Sequence, residues 1–313
     1  MKTESLNLLF ARLALNVVLS IAAMLSFAVF AQAQNPRTYV SASGTDAGNC
    51  DQLAQPCRLV GYALSVVDAR GEVVILDSGY YRPFLVNKSV TIAAAPGVYA
   101  QIQITEEGGT AIQVATAARD YVVLRGLTVH SPGGDAGQIG IHFSTGGALH
   151  VENCTINGFT LSGITSSGAE LFVKDTTIRN SNYSVHIVGN GNIPRAVLEN
   201  CRLENGTHGI HASSNARVTA KNTTAAGNSG SGFLASLPVN GGGAAEMNLE
   251  NCVSSHNGTG INANVNTTIR VSNSTVTGNT TGLTHNGALL SRYNNTVEGN
   301  TFNGNFSGFF AAK

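Results

Sequence analysis

A short phrase, apolar–x–Asn–Cys/Thr–x–apolar, returns eight times between about residue 120 and the C-terminus, each time followed by a turn and a Gly-apolar pair. The clearest copies are Val151–Ile156, Leu198–Leu203 and Val271–Val276. With the Asn as marker, the copies fall at Gly126, Asn153, Asp175, Asn200, Asn222, Asn251, Asn273 and Asn294, spaced 27, 22, 25, 22, 29, 22 and 21 residues apart. Short strands with Asn/Gly corners at such a period predict an all-β solenoid, one coil per repeat, each coil stacked on the next.

Columns through the repeat predict which way residues face, because successive strand side chains alternate. Two before the marker stand Leu124, Val151, Val173, Leu198, Ala220, Leu249, Val271 and Arg292; three after it stand Val129, Ile156, Ile178, Leu203, Ala225, Ser254, Val276 and Val297. Both columns are read as inward. The position just before the marker runs Arg125, Glu152, Lys174, Glu199, Lys221, Glu250, Ser272 and Tyr293, alternating in charge over six coils. In-register parallel coils would place each acid between two bases, whereas like charges stacked there would be penalised. Asn228, Asn257, Asn279 and Asn300, six after the marker, are expected to take left-handed backbone and to ladder with one another. The Asn-x-Ser/Thr triplets are read as products of this corner grammar, not as glycosylation sites.

Upstream, Val73–Leu76, Leu85–Ile92 and Ile102–Ile104 read as less regular coils. Pro56–Arg70 has helical spacing and is expected to cover the open edge of the first coil. The C-terminal Phe302, Phe306, Phe309 and Phe310 are expected either to close the last coil or to form a docking patch.

At the N-terminus, Lys2 and Arg12 precede an apolar run, Leu13–Phe30, and then Ala31-Gln32-Ala33. This is the order of a secretory signal, expected to be cut between Ala33 and Gln34. The division is therefore a signal over 1–33, an N-terminal strand, loop and capping helix over 34–72, and coils over 73–313. No later stretch is long or apolar enough to span a membrane, so a periplasmic, secreted or cell-surface protein is expected. Lys+Arg and Asp+Glu balance at 18 each, which gives no net field to draw nucleic acid or anionic lipid.

Cys50 and Cys57 are separated by six polar, Pro-containing residues just after the export signal; a disulfide is expected in an oxidising compartment. Cys154, Cys201 and Cys252 share one column on alternate copies, with Thr176, Thr223 and Ser274 between. With coils about 4.8 Å apart, these sulfurs are too distant to bridge or to share a metal. They are read as core residues, and neither a metal nor a cofactor is expected.

Tyr39–Asp46, the Cys50–Cys57 loop, the following helix and the coils Val73–Tyr81 and Ser89–Ile92 are similar to the N-terminal cap and first turns of secreted bacterial right-handed β-helix repeat proteins. The chain resembles that group, within the pectin-lyase-like superfamily, over about 37–313. The resemblance implies a single-stranded right-handed parallel β-helix with a short capping helix. It leaves activity open, since the superfamily holds lyases, hydrolases, epimerases and proteins without known activity.

Uronide lyases and glycoside hydrolases of this superfamily work with clustered acids, often with Ca²⁺ or a catalytic Arg. Beyond residue 120 this chain has two aspartates, Asp135 and Asp175, and no Asp-Asp or Asp-Pro-His-Glu motif. The acid pairing that glycosidic chemistry needs is therefore missing from the sequence pattern. One constellation remains. The outward position after Gly-apolar runs His142, Thr165, His186, His211, Leu234, Asn262 and Thr284. His186 and His211 fall on adjacent coils, so their rings are expected about 5 Å apart, with His208 at the corner beside them. The loops Gly189–Arg195 and Ser236–Ala245 are expected to rise on either side as a shallow groove.

Solvated surface histidines are the plainest reading, saccharide contact the functional one. His186, His211 and His208 are the weak catalytic candidates; His142, His186, His211, Arg179, Arg195 and Arg202 are the candidate ligand contacts. With no Trp and 6% aromatics, tight stacking of a neutral glycan is disfavoured, and an anionic glycan on the three arginines is the alternative. The expected function is a non-catalytic structural or carbohydrate-binding module at the cell surface. The rival is a polysaccharide-active enzyme, a uronide lyase or glycoside hydrolase, with a divergent site near His186 and His211.

Overall fold

A computed structural model describes residues 15–16, 35–104, 108–132, 137–237 and 243–311. The expected signal segment, with its cleavage point, lies outside the described residues apart from Leu15 and Asn16.

The chain winds as a parallel β-helix of three sheets. Among the described residues the first sheet has 12 strands, from Arg37–Val40 to Gly308–Phe309; the second has 10, from Gly79–Tyr81 to Thr296–Val297; the third has nine, from Phe84–Val86 to Thr281–His285. Each coil passes from first sheet to second to third. Every strand pair is parallel, and equivalent residues of successive coils are register partners. Glu152 pairs with Arg125 and Lys174, and Glu199 with Lys174 and Lys221. The alternating-charge column is thus real, although the ion pair it closes is Arg125–Glu152 at 2.8 Å. Exposed pairs of this kind contribute about 0–1 kcal/mol, so the column records register more than it stabilises.

The marker residue bends the first sheet into the second. Asn153, Asp175, Asn200, Asn222, Asn251 and Asn273 all take left-handed backbone, φ 49 to 54°, and Gly126 does so at 69°. Asn tolerates this region better than most residues because its short amide hydrogen-bonds locally. The exposed amides link coil to coil: Asn251 Nδ2 donates to Asn222 Oδ1 at 2.7 Å, and Asn200 Nδ2 to Asp175 Oδ1 at 3.1 Å. In the last coil the bend falls one residue early, at Tyr293 (φ 69°) and not Asn294. Ser291 therefore pairs with Val271 and is buried, while Arg292 leaves the inward column assigned to it.

The second corner also departs from the sequence reading. Left-handed backbone falls five after the marker, at Gly158, Asn180, Asn205, Gly227, His256, Gly278 and Gly299. Asn228, Asn257 and Asn279 are instead buried, and their amides point inward as a ladder. Asn228 Nδ2 donates to Asn257 Oδ1 at 2.9 Å, Asn257 to Asn279 at 3.0 Å and Asn279 to Asn300 at 2.9 Å. Each Oδ1 also accepts the backbone N–H of the coil before it, as Asn279 does from Asn257 at 2.9 Å. The corner has buried peptide groups that no strand can pair, and the ladder satisfies them.

The interior is largely aliphatic, with the two inward columns fully buried from Leu124 to Val276. Cys154, Cys201 and Cys252 belong to it: all are buried and free, and burial pushes their thiols up to about 12, 11 and 11. Their N–H groups donate to Thr176, Thr223 and Ser274 on the next coil, which explains the Cys/hydroxyl alternation. Among the described residues no three His, Cys, Asp or Glu side chains are placed to hold a metal ion.

The N-terminal end is closed by the strand Arg37–Val40 and the helix Val60–Val66, whose Val60, Ala63 and Leu64 are buried. The helix is half the length its spacing suggested. Cys57 is tied to Cys50 by a disulfide (Cα–Cα 5.4 Å) and bridges Val40. Asp46 Oδ1 accepts the N–H groups of Arg58 and Leu59, both at 2.9 Å. Residues 56–59 are thereby kept out of the helix, Leu59 being extended (φ −107°, ψ 132°), and Val67 (ψ 146°) stops the helix before Arg70. At the other end Phe306 packs on the core, while Phe309 stacks on Tyr293 at 4.1 Å and Phe302 is exposed.

Candidate functional site

The third sheet carries the histidines where the repeat places them. His186 pairs with Thr165 on one side and His211 on the other. Their rings lie 4.7 Å apart and 5° from parallel. Tyr183, which the single-column reading passed over, joins them at 5.1 Å from His186, 5.0 Å from His211 and 5.5 Å from His208. The signal for it is a neighbouring column, the residue before Gly-apolar: Ser162, Tyr183, His208, Ser231 and Thr259. Tyr183 and His208 are register partners in it.

The four rings are half-buried. Burial holds His186 at about 4 and His211 at about 3, the latter lowered further by its two histidine neighbours. His208 and His142 are also held below the ordinary value by burial. All are therefore neutral imidazoles near pH 7. The Ser231 N–H donates to His208 Nδ1 at 3.0 Å, so the proton of neutral His208 sits on Nε2. His211 Nε2 lies 2.7 Å from Ser236 Oγ, and His186 Nε2 lies 3.4 Å from Ser213 Oγ. Because the rings of His186 and His211 cover each other's facing sides, a ligand meets mainly their edges.

The nine described strands of this sheet contain no Asp, Glu, Lys or Arg. Among the described residues charge lies on the other two sheets, at corners such as Lys88, Arg119, Asp120 and Asp175, and towards the ends. This decides what becomes of the remaining candidates. Arg179 and Arg202 lie on the second sheet, where Arg202 pairs with Glu204; Arg195 lies on the first sheet, 4.0 Å from Glu170. Three arginines split over two sheets, none of them the histidine sheet, do not form one anion site. His142 shares the histidine column but is separated from His186 by Thr165.

Of the two expected groove walls, the loop after Val188 is folded down: Gly189 N–H donates to Ser214 O at 3.0 Å and Asn192 Nδ2 to Ser167 O at 2.7 Å. Half of the second wall, residues 238–242, lies outside the described residues. Cavities open elsewhere: one of about 450 Å³ among Arg58, Tyr80, Tyr81, Arg82 and Gln103, and one of about 170 Å³ beside His150 and Phe172, whose rings stack at 4.7 Å.

Comparison with known proteins agrees with the coil geometry. A family described as a right-handed β-helix region matches residues 110–237 and 185–313. The chain belongs to the right-handed β-helix family. Its fold also matches solved structures at low identity. A complex of XylC with xylose is 10% identical, with 83% of this chain and 69% of that one covered and a TM-score of 0.61. Pectate lyase Pel9A is 12% identical over 86% and 80%, TM-score 0.55. An alginate lyase from Paenibacillus sp. str. FPU-7 is 12% identical over 87% and 97%, TM-score 0.51. At such identities the likeness is one of fold. No protein of curated function matches the sequence. No helix among the described residues is long and apolar enough to cross a membrane.

Proposed function

We propose that this β-helix is an exported, non-catalytic module that binds saccharide on the outer face of its third sheet, at Tyr183, His186, His208 and His211. One observation carries the reading: a cluster of neutral, edge-presenting rings stands on a sheet whose described strands hold no carboxylate. Cleaving a glycosidic or uronide bond calls for groups that deliver and accept protons or stabilise charge, most often paired carboxylates. Binding calls only for a few convergent polar edges beside apolar surface. The fold neighbours named with xylose, pectate and alginate support saccharide as the ligand class. Export rests on the signal-like segment 1–33, with cleavage between Ala33 and Gln34, and the Cys50–Cys57 disulfide suits an oxidising compartment.

A second reading, a polysaccharide-active enzyme, is favoured by the Tyr183 ring packed beside neutral imidazoles, since a phenol and an imidazole can exchange a proton. One experiment separates the two. The mature protein is screened for binding and for turnover on pectate, alginate, xylan and related polymers, with and without Ca²⁺. Binding that His186→Ala with His211→Ala abolishes, without new reducing ends or unsaturated product, supports the module. Turnover lost in the same variant overturns it in favour of the enzyme.

A further inference from the structure

The charge distribution of the coil carries the binding reading one step further. The first sheet places charge on most of its strands: Arg37, Glu72, Arg125, Glu152, Glu170, Lys174, and onward to Arg270. The second adds Arg179, Arg202 and Glu204. The described strands of the third have none, although its outer face is mostly polar. Its outward column is Gln113, His142, Thr165, His186, His211, Leu234, Asn262 and Thr284, all register partners in sequence. The column before Gly-apolar adds Ser162, Tyr183, His208, Ser231, Thr259 and Thr281.

Leu234 apart, which is apolar and buried, these groups are hydroxyls, amides, imidazole edges and one phenol; Ser162, Thr165 and Ser231 among them are buried and the others reach the surface. Each donates or accepts a neutral hydrogen bond. They recur once per coil, at a step of about 4.8 Å, close to the advance of one sugar in an extended chain. A polyuronate laid on this face would bring a carboxylate with every sugar. Each would lose water without meeting a counter-charge, an uncompensated desolvation. A neutral sugar's hydroxyls would exchange water for partners of matching chemistry.

We infer that this face selects uncharged polysaccharide, an extended chain of neutral sugars lying along the coil axis over Tyr183, His186 and Asn262, and discriminates against polyuronates. The inference rests on the saccharide reading above and narrows it to a ligand class. Selection arises from what the sheet omits, since rejection of the wrong ligand is as much part of specificity as attraction of the right one.

The test is affinity electrophoresis and calorimetry of the mature protein against neutral polymers (xylan, β-glucan, mannan) and acidic ones (pectate, alginate), at low and high salt. Expected is binding to at least one neutral polymer about tenfold or more tighter than to either polyuronate, unchanged by salt because no ion pair is screened. Tyr183→Phe, which removes only the hydroxyl, and Asn262→Ala should each weaken it. Asn262→Lys should narrow the gap by raising polyuronate affinity in a salt-sensitive way. Far-UV dichroism establishes that each variant remains folded. Tighter, salt-sensitive binding of pectate or alginate by the unaltered protein overturns the inference and leaves the saccharide reading standing. Failure to bind any polymer of either class sinks that reading, and the inference with it.

Discussion

Lowering the pH from 7 to 5 should destabilise this protein through His186 and His211. An ordinary histidine titrates near 6.5, whereas burial holds these two at about 4 and about 3 in the folded chain. For a base depressed by folding, the unfolded chain takes up protons first, so stability is fully present above pH 6.5 and declines as pH falls below it. At pH 5 the unfolded imidazoles are almost wholly protonated and the folded ones almost wholly neutral. Each then contributes about 2 kcal/mol of destabilisation, and the pair about 4 kcal/mol. The decline continues until the folded pKa values are reached, near pH 3 to 4. The geometry makes the neutral state necessary: His211 Nδ1 is buried without a partner, and a proton there would add an unsatisfied donor beside a parallel ring 4.7 Å away. The assay is urea unfolding followed by far-UV dichroism at pH 5 and pH 7, on the unaltered chain and on His186→Asn with His211→Asn. The variant should be the less pH-sensitive by about 4 kcal/mol. Equal pH dependence in the two proteins would refute burial of neutral imidazoles in this stack.

Other predictions follow from the corners and the cap. Asn257→Ala should cost about 1–3 kcal/mol, because it orphans the N–H of buried Asn228; Asn251→Ala, on the exposed ladder, should cost measurably less in the same urea titration. Replacing Cys50 and Cys57 together with Ser releases a loop of sequence separation 7, worth about 2.5 kcal/mol by loop-closure entropy, and should raise amide exchange first in Arg37–Val40 and Val60–Val66. Cys154, Cys201 and Cys252, buried with raised thiol values, should resist alkylation in native buffer at pH 8 and react on unfolding. Glu199→Lys, which sets three cations in one column, should shift stability by no more than about 1 kcal/mol and regain it in high salt.

The coil was legible because its period acts on every repeat. Inward columns, the charge alternation and the stacking of His186 on His211 all follow once Asn153, Asn200 and Asn273 are aligned. What the alignment missed is local. Left-handed backbone belongs to Asn180, Asn205 and Gly227, while Asn228 and its successors turn inward to serve peptide groups that no sequence pattern displays. The helix is short because Asp46 and the Cys50–Cys57 bridge keep residues 56–59 out of it, a tertiary constraint on helical spacing. At the site, Arg179, Arg195 and Arg202 are near in sequence yet fall on two sheets, since a coil turns three corners in some twenty-odd residues. Tyr183 escaped notice because it stands in a different column from the histidines it packs against. Their neutrality follows from burial by neighbours on other coils, which a single repeat does not reveal.

The central claim, that successive coils stack in register about 4.8 Å apart, is most directly tested by pulsed electron resonance between spin labels on the outward column of the second sheet. Thr155, Thr177, Arg202, Thr224, Val253 and Thr275 are successive register partners there. Labels at Thr155 and Thr275, five steps apart, should lie about 24 Å from one another, and distances should grow linearly with coil number. A Thr155–Thr275 distance no greater than that for Thr155–Thr224 would contradict the stacking, and the histidine cluster would fall with it.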